Sequence, residues 1–462
     1  MTYYLAIDIG ASSGRHIVGW LDGGKLNLKE VYRFANGAAK KGGILKWNAE
    51  RLFQEVKNGL KAAKEQDFTP SFIGIDTWAV DYALLDENDN LLDDVYSYRD
   101  DRTARAIPAV HKRIAFEKLY QKTGIQFQPF NTVYQLYADK LSGRLNRAKT
   151  FLMLPDYLNY LLTGVKRQEY TNATSTGMIN AQTHCWDRKI LSALEFPQEL
   201  FVSLSRPSTA VGELKEEIAR EVGFSATVLL PATHDTASAV LAAPIEKESP
   251  YISSGTWSLL GIEQETAHTD ENSRNANYSN EGSIDYQFRY QKNIMGLWLL
   301  QSVRKELGNP SFETLAQMAR CKESIGLINV NDKRFLSPDS MIEEINQALK
   351  KRLSSAAVVR VIYDSLAQSY AEAITELEQN TGKTYDTLNI IGGGSHDSLL
   401  NELTAKATGK KIITGPIEAT AIGNLVMQMI GAGEIKDLPE ARRIIKESFP
   451  LTVIPSAVEE SH

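Results

Sequence analysis

The alternation of apolar and polar positions makes the start of the chain a run of strands and hairpins. Tyr3-Tyr-Leu-Ala-Ile-Asp-Ile9 is nearly all apolar, and Arg15-His-Ile-Val-Gly-Trp20 resumes the pattern after a break of small residues. The spacing predicts a meander of about three strands over residues 3–34. Apolar residues then move to helical spacing at Leu52, Phe53, Val56, Leu60 and Ala63, which predicts a helix over Ala49–Glu65, and Ser71-Phe-Ile-Gly-Ile-Asp76 reads as the next strand. The order recurs past the midpoint. Pro250–Ser253 and Trp257–Ile262 form a second hairpin, strand material follows over Tyr286–Lys292, a long helix lies near Ala356–Asn380, and Thr387–Ile391 runs into Gly392-Gly-Gly394.

Strands that alternate with helices predict an α/β fold with helices on the sheet faces. The boundary falls near residue 245, around Ala242–Ser249, so the expected domains are 1–244 and 245–462. Residues 95–230 exceed what the minimal order requires and are expected to form an insertion that builds a pocket; they carry Tyr98-Arg-Asp-Asp-Arg-Thr103 and Thr123-Gly-Ile-Gln-Phe-Gln-Pro-Phe-Asn131.

Composition narrows the classes of function. A chain of 462 residues with 43% hydrophobic content has room for a large core. A net charge of −6 with scattered Lys and Arg provides no basic field for nucleic acid. No stretch approaches the roughly eighteen apolar residues of a membrane span and no leader sequence is evident, so the expected location is the cytoplasm, away from membranes. Cys185 and Cys321 lack a second cysteine at metal spacing and are expected to be buried thiols, with no zinc site or disulfide.

The candidate chemistry sits in the turns. Asp8-Ile-Gly-Ala-Ser-Ser-Gly14 and Ser253-Ser-Gly-Thr-Trp-Ser258 look like two versions of one phosphate-gripping hairpin, in which Gly tolerates φ > 0 and Ser adds hydroxyl donors. Gly382-Lys-Thr384 is no P-loop, because Leu377 stands where the first glycine belongs and the segment lies between a helix and a strand. Asp8 ends an apolar strand, where an acid is costly without a partner such as hydrated Mg2+. Asp235, in Thr233-His-Asp-Thr236, either caps a helix or serves as a general base toward a substrate hydroxyl. The glycines at 392–394 permit close approach of a flat ligand such as adenine.

Together these segments resemble the FGGY carbohydrate kinases of the actin, hexokinase and Hsp70 superfamily, nearly end to end. The most specific stretches are Ile75-Asp-Thr-Trp-Ala-Val-Asp81, Glu169-Tyr-Thr-Asn-Ala-Thr174, His234-Asp-Thr-Ala-Ser-Ala-Val240 and Lys292-Asn-Ile-Met-Gly-Leu-Trp-Leu-Leu-Gln301. The resemblance implies two actin-like (ribonuclease H-like) domains with a central cleft, the first mainly for sugar and the second mainly for nucleotide. It implies ATP contacts at Ala11, Ser12, Ser13, Gly14, Arg15, Thr256, Gln301 and Gly394, and sugar contacts at Ala79, His234, Asp235, Thr236 and Asn293. Asp235 would be the base, and Asp8 would help order Mg2+ through water. The implied reaction is phosphorylation of the 1-hydroxyl of L-rhamnulose, with L-fuculose or L-xylulose as alternative ketoses; an oligomer is expected by analogy alone. Two positions depart from the pattern. Ala79 stands where Gly is usual, and Ser395-His-Asp397 replaces an uncharged pair, which suggests altered nucleotide preference. An actin-like filament protein, an Hsp70-like chaperone and a sugar-sensing regulator are disfavoured, since the chain shows no peptide-binding or DNA-binding segment.

Overall fold

Tyr4–Ile9 (β1) is buried along its whole length, so the strand must be paired on both edges and covered on both faces. Ser13–Asp22 (β2) pairs with it antiparallel, and Lys25–Ala35 (β3) pairs with β2. Ala49–Glu65 (α1) follows, opened by Asn48, whose side chain accepts from Arg51 N at 2.8 Å. Phe72–Thr77 (β4) returns parallel to the other edge of β1, and Ala210–Glu213 (β5) and Thr227–Leu229 (β6) complete the order β5-β6-β4-β1-β2-β3. Asp235–Leu241 (α2) closes this part of the chain.

The computed structural model describes residues 1–245, 248–336 and 338–456. By internal contacts the chain forms two units. The first comprises Met1–Leu241, Gln264–Tyr290 and Thr420–Ser448; the second comprises Ala242–Glu263, Gln291–Ala419 and the described residues from Phe449 onward. Within the expected boundary stretch, residues 246 and 247 lie outside the described residues.

The second unit repeats the topology. Tyr251–Ser254 (β7) and Trp257–Gln264 (β8) form an antiparallel hairpin, and Phe288–Met295 (β9) lies beside β8. Ser355–Thr381 (α3) leads into Thr387–Ile391 (β10), which is parallel to β7, and Ser398–Thr408 (α4) leads into Lys411–Thr414 (β11), parallel to β10. Thr452–Ile454 (β12) is the antiparallel edge. Gly382 ends α3 in the left-handed conformation at φ 67°, so Gly382-Lys-Thr384 is a helix stop.

Ala419–Gly431 (α5) joins the first unit from Thr420 onward and packs tightly there. A β-carbon at Gly423 would run into the Ser238 carbonyl of α2, and one at Gly74 would meet the Asn424 and Gln428 amides at 2.6 and 2.8 Å. The segment expected as an insertion is largely helical. Its Val133, Tyr134, Phe151 and Phe196 share one core with Tyr82 and Leu84, which precede it, while β5 and β6 near its end belong to the six-stranded sheet and not to an insertion. Arg102 is spent on structure, since it pairs at 2.7 Å with fully buried Asp139, which also takes Arg144 at 3.0 Å. The cysteine expectation is corrected: Cys185 and Cys321 are both exposed and unpaired with each other, because each lies in a surface turn between elements. Among the described residues, no helix is long and apolar enough to cross a membrane.

One fully buried polar group in this packing has a measurable consequence. His16 of β2 lies against α1 with Nε2 3.3 Å from the Val56 carbonyl, and Gly59 leaves room for its ring. Its Nδ1 is buried without a hydrogen-bond partner, and burial pulls its pKa from 6.5 to about 3. A neutral buried His stabilises the fold above pH ~6.5, and this contribution is lost as pH falls toward the folded-state value. Between pH 7.5 and 5 the native protein should lose about 2 kcal/mol more stability than His16→Phe, at about 1.4 kcal/mol per unit below 6.5. Urea midpoints at the two pH values measure this; equal falls would show that His16 carries no such linkage.

Candidate active site

The parallel pairing of β1 with β4 sets Asp8 opposite Asp76, and the antiparallel pairing with β2 sets Asp8 opposite Arg15. Arg15 answers the first carboxylate, with Nη2 and Nε at 2.8 and 2.9 Å from Asp8 Oδ2. Asp76 is fully buried and receives Asn424 Nδ2 at 2.5 Å on Oδ2, while its Oδ1 is buried without a partner. Gln428 fixes Asn424 through a 2.6 Å bond and also donates to the Leu5 carbonyl. Burial foremost, and then the charge of Asp8, push the Asp76 carboxyl well above the ordinary carboxylate range; the Asn424 amide opposes this and Asp235 adds to it.

The next strand end brings in the His-Asp pair. Thr77 bridges to His234 in parallel, and Thr77 N donates to Thr233 O at 3.0 Å. Glu169, fully buried, caps the short helix Tyr170–Thr174 and takes Thr233 through both N (3.1 Å) and Oγ1 (2.8 Å). Asn172 adds a 3.2 Å bond to Thr233 O. Asp235 then begins α2, with Oδ1 accepting from Thr236 N at 2.5 Å and Thr236 Oγ1 at 3.1 Å, and its side chain keeps 30% exposure. Burial raises its pKa, His234 opposes and the charge of Asp8 adds, which makes the carboxylate a better base than a free Asp. His234 stands with Nε2 3.5 Å from Asp235 Oδ1 and Nδ1 3.1 Å from Arg289 Nη2 and 3.2 Å from Glu281 Oε2.

Residues 78–81 form a tight turn. Asp81 N donates to Ala79 O at 2.9 Å around Val80, whose φ of 68° is a strained conformation for a β-branched residue. Asp81 holds the turn. Its Oδ2 accepts from Trp47 Nε1 (2.7 Å), Trp78 Nε1 (2.9 Å) and Tyr98 N (3.2 Å), and Gln135 Nε2 reaches Oδ1 at 3.2 Å. Burial lifts its pKa to about 6 against these donors. Ala79 itself is outside the left-handed region, so its methyl adds no backbone strain.

In the first hairpin Ala11, Ser12 and Ser13 form the turn, tied by Gly10 N to Ser13 O at 2.9 Å and clamped by Asn36, which donates to Ser12 O and Gly10 O. The expected need for φ > 0 is corrected here, since Gly10, Gly14 and Gly255 do not adopt it; Gly14 is small because the Phe34 ring covers it. In the second unit Thr256 O accepts from Gly296 N and Trp298 N at 3.2 and 3.3 Å, which docks the loop on the start of the Trp298–Glu306 helix that carries Gln301. Gly392, at φ 80°, and Gly394 pack on Ser254, where a side chain at Gly394 would strike Ser254 Oγ. These contacts gather Thr256, Gln301 and Gly394 around the end of β7. Asn293 lies on β9 with its amide oxygen buried and unpartnered. Asp397 caps α4 through Leu400 N at 3.1 Å and accepts from Tyr363 Oη at 2.7 Å, so the added acid has a structural role.

Asp8, Asp76 and Asp235 are hard oxygen donors near one another, and the unpartnered oxygen of Asp76 fits a divalent cation. Among the described residues no group of three or more His, Cys, Asp or Glu is placed to hold a metal ion by itself. Asp76, Asp81, Glu169, Asn172, Glu281 and Arg289 were not singled out individually from the sequence. The signal that marks Asp8, an acid inside an apolar strand, also marks Asp76.

This arrangement of strand-end carboxylates and paired hairpin turns is that of a phosphotransferase of the actin-like class. Residues 3–242 match the N-terminal domain, and residues 250–432 the C-terminal domain, of the FGGY family of carbohydrate kinases. The chain belongs to that family, which transfers phosphoryl groups from ATP. It is 46% identical to a rhamnulokinase of Halalkalibacterium halodurans over 468 aligned positions that span both chains fully, and 43% identical to one of Bacillus subtilis, covering 99% of this chain and 96% of that one. In fold it is similar to a ligand-bound xylulose kinase from Lactobacillus acidophilus (TM-score 0.83, 16% identity, 100% and 95% covered) and to Plasmodium falciparum glycerol kinase with ADP (0.77, 14%, 99% and 94%).

Asp81→Ala would strand three donors on one buried oxygen. It should cost at least about 2 kcal/mol and shift tryptophan emission as Trp47 and Trp78, whose rings lie 4.2 Å apart at a 40° tilt, lose their anchor. Thermal melts and fluorescence test this; an unchanged midpoint would show that the turn holds without Asp81.

Proposed function

We propose that the protein transfers the γ-phosphoryl group of ATP to the 1-hydroxyl of L-rhamnulose, giving L-rhamnulose 1-phosphate and ADP in the breakdown of L-rhamnose. The observation that carries this is similarity at 40–46% identity, over nearly the full length, to relatives that share this activity in their names. In the proposed reaction Asp235 accepts the hydroxyl proton, the sugar oxygen forms the new bond to the γ-phosphorus, and the bond to the ADP oxygen breaks. Thr236 steadies the carboxylate, and His234, Asn293 and the segment at Ala79 orient the ketose. The hairpin amides of Ala11, Ser12, Ser13 and Gly14, the Arg15 guanidinium and Thr256 receive the phosphates, while Gln301 and Gly394 lie along the rest of the nucleotide.

Asp8 and its neighbouring carboxylates suit Mg2+, which would supply neutralisation of phosphate charge. The cytoplasm is the compartment this reaction fits, with ATP at hand. Ala79 favours one alternative: its methyl trims the sugar pocket and would shift preference toward another ketose such as L-fuculose or L-xylulose, by about 1 to 3 kcal/mol.

ADP release with Mg·ATP across L-rhamnulose, L-fuculose, L-xylulose, L-ribulose and D-xylulose should show the highest kcat/KM for L-rhamnulose. The product's phosphate should lie on C1, read by phosphorus–proton NMR correlation. Preference for another ketose would move the substrate assignment to the Ala79 alternative, and turnover of none would overturn it. Ala79→Gly should leave kcat for L-rhamnulose within about threefold while sharpening discrimination against L-fuculose and L-xylulose by about tenfold; unchanged ratios would remove Ala79 from the specificity account.

A further inference from the structure

Arg289 is fully buried, and no role for it follows from phosphate or sugar chemistry directly. Its Nε donates to Gly282 O at 3.2 Å, and its Nη2 lies 3.2 Å from Glu281 Oε2 and 3.1 Å from His234 Nδ1. We propose that Arg289, with Glu281 as its counter-ion, is a positioning residue that fixes His234 with a bare Nδ1 and a protonated Nε2. The ring then offers an N–H, and not a lone pair, on the side of Asp235.

A guanidinium has five donors and no acceptor, and it stays charged, so the ring nitrogen it faces is best matched as an acceptor. The other nitrogen of a neutral imidazole then carries the hydrogen. That nitrogen is Nε2, 3.5 Å from Asp235 Oδ1, where an N–H favours the carboxylate and can also donate to a sugar oxygen. Glu281, only 6% exposed, offsets a buried cation that would otherwise be costly. It also lies 3.2 Å from Nδ1, so the opposite tautomer, Nδ1–H to Glu281 with a bare Nε2, is the competing arrangement.

The catalytic consequence rests on the sugar-kinase assignment above, but the position of the hydrogen does not. The test is a long-range proton–nitrogen correlation spectrum of the full chain labelled with 15N-histidine, with His234→Asn to assign the ring among the seven histidines. At pH 7.5 the expected spectrum has a bare Nδ1 and a protonated Nε2. A protonated Nδ1, alone or with Nε2, would overturn the proposal. Arg289→Met should then switch the tautomer and raise the ketose KM about tenfold, the worth of one hydrogen bond, with the ATP KM within twofold. Equal rises in both KM values would contradict a positioning role. If the native protein phosphorylates no ketose, the assignment of function fails while the spectrum still decides the position of the hydrogen.

Discussion

Two carboxylates fixed side by side on adjacent parallel strands are the constraint on which the first unit depends. The register of β1 and β4 leaves Asp8 and Asp76 no freedom to separate, and like charges at such a spacing in a buried position cannot both be left uncompensated. Arg15 answers Asp8 from the next strand. Asp76 is held by Asn424 and, behind it, Gln428 from α5, which must approach the sheet closely; Gly74 is small for that reason, and Gly423 is small where α5 crosses the Ser238 carbonyl of α2. A helix from the C-terminal part of the sequence thus completes the floor beneath residues at its beginning.

The same economy of position governs the His-Asp pair. Glu169 reaches Thr233, Thr233 pairs with Thr77, and Thr77 lies one residue beyond Asp76, so the third carboxylate inherits its place from the same strand ends. Asp235 opens a helix and remains partly exposed, whereas its supports are buried. The role proposed for Asp235, taking a proton, calls for access, and the groups that would aim it call for rigidity. The left-handed Val80 is stored strain of the same kind, tolerated because Asp81 collects three donors on one oxygen.

Much of the fold was legible from hydrophobic periodicity. The spacing of Leu52, Val56, Leu60 and Ala63 matches α1 at its observed ends, and Thr387–Ile391 is a strand as read. Assignments that needed three-dimensional neighbours were less legible. Gly14 reads as a glycine chosen for φ > 0 but is small because Phe34 covers it, and Arg102 reads as a pocket residue but is locked to Asp139. Arg289 and Glu281 sit in a strand region without a local signature, and their meaning appears only once His234, about fifty residues earlier in sequence, is set beside them. Asp397, read as an added acid that could alter nucleotide preference, has a second role that only the structure shows, as the cap of α4.

Everything proposed for the chemistry converges on Asp235 as the group that takes the proton. The most direct measurement is the single-turnover rate of phosphoryl transfer in Asp235→Asn, together with calorimetric titration of ATP and of L-rhamnulose into the same protein. Transfer should fall by about 10² to 10⁴, while both affinities stay within a few-fold of native, because the amide keeps the shape and loses only the basic oxygen. A variant that binds both ligands and transfers phosphate at close to the native rate would contradict the account.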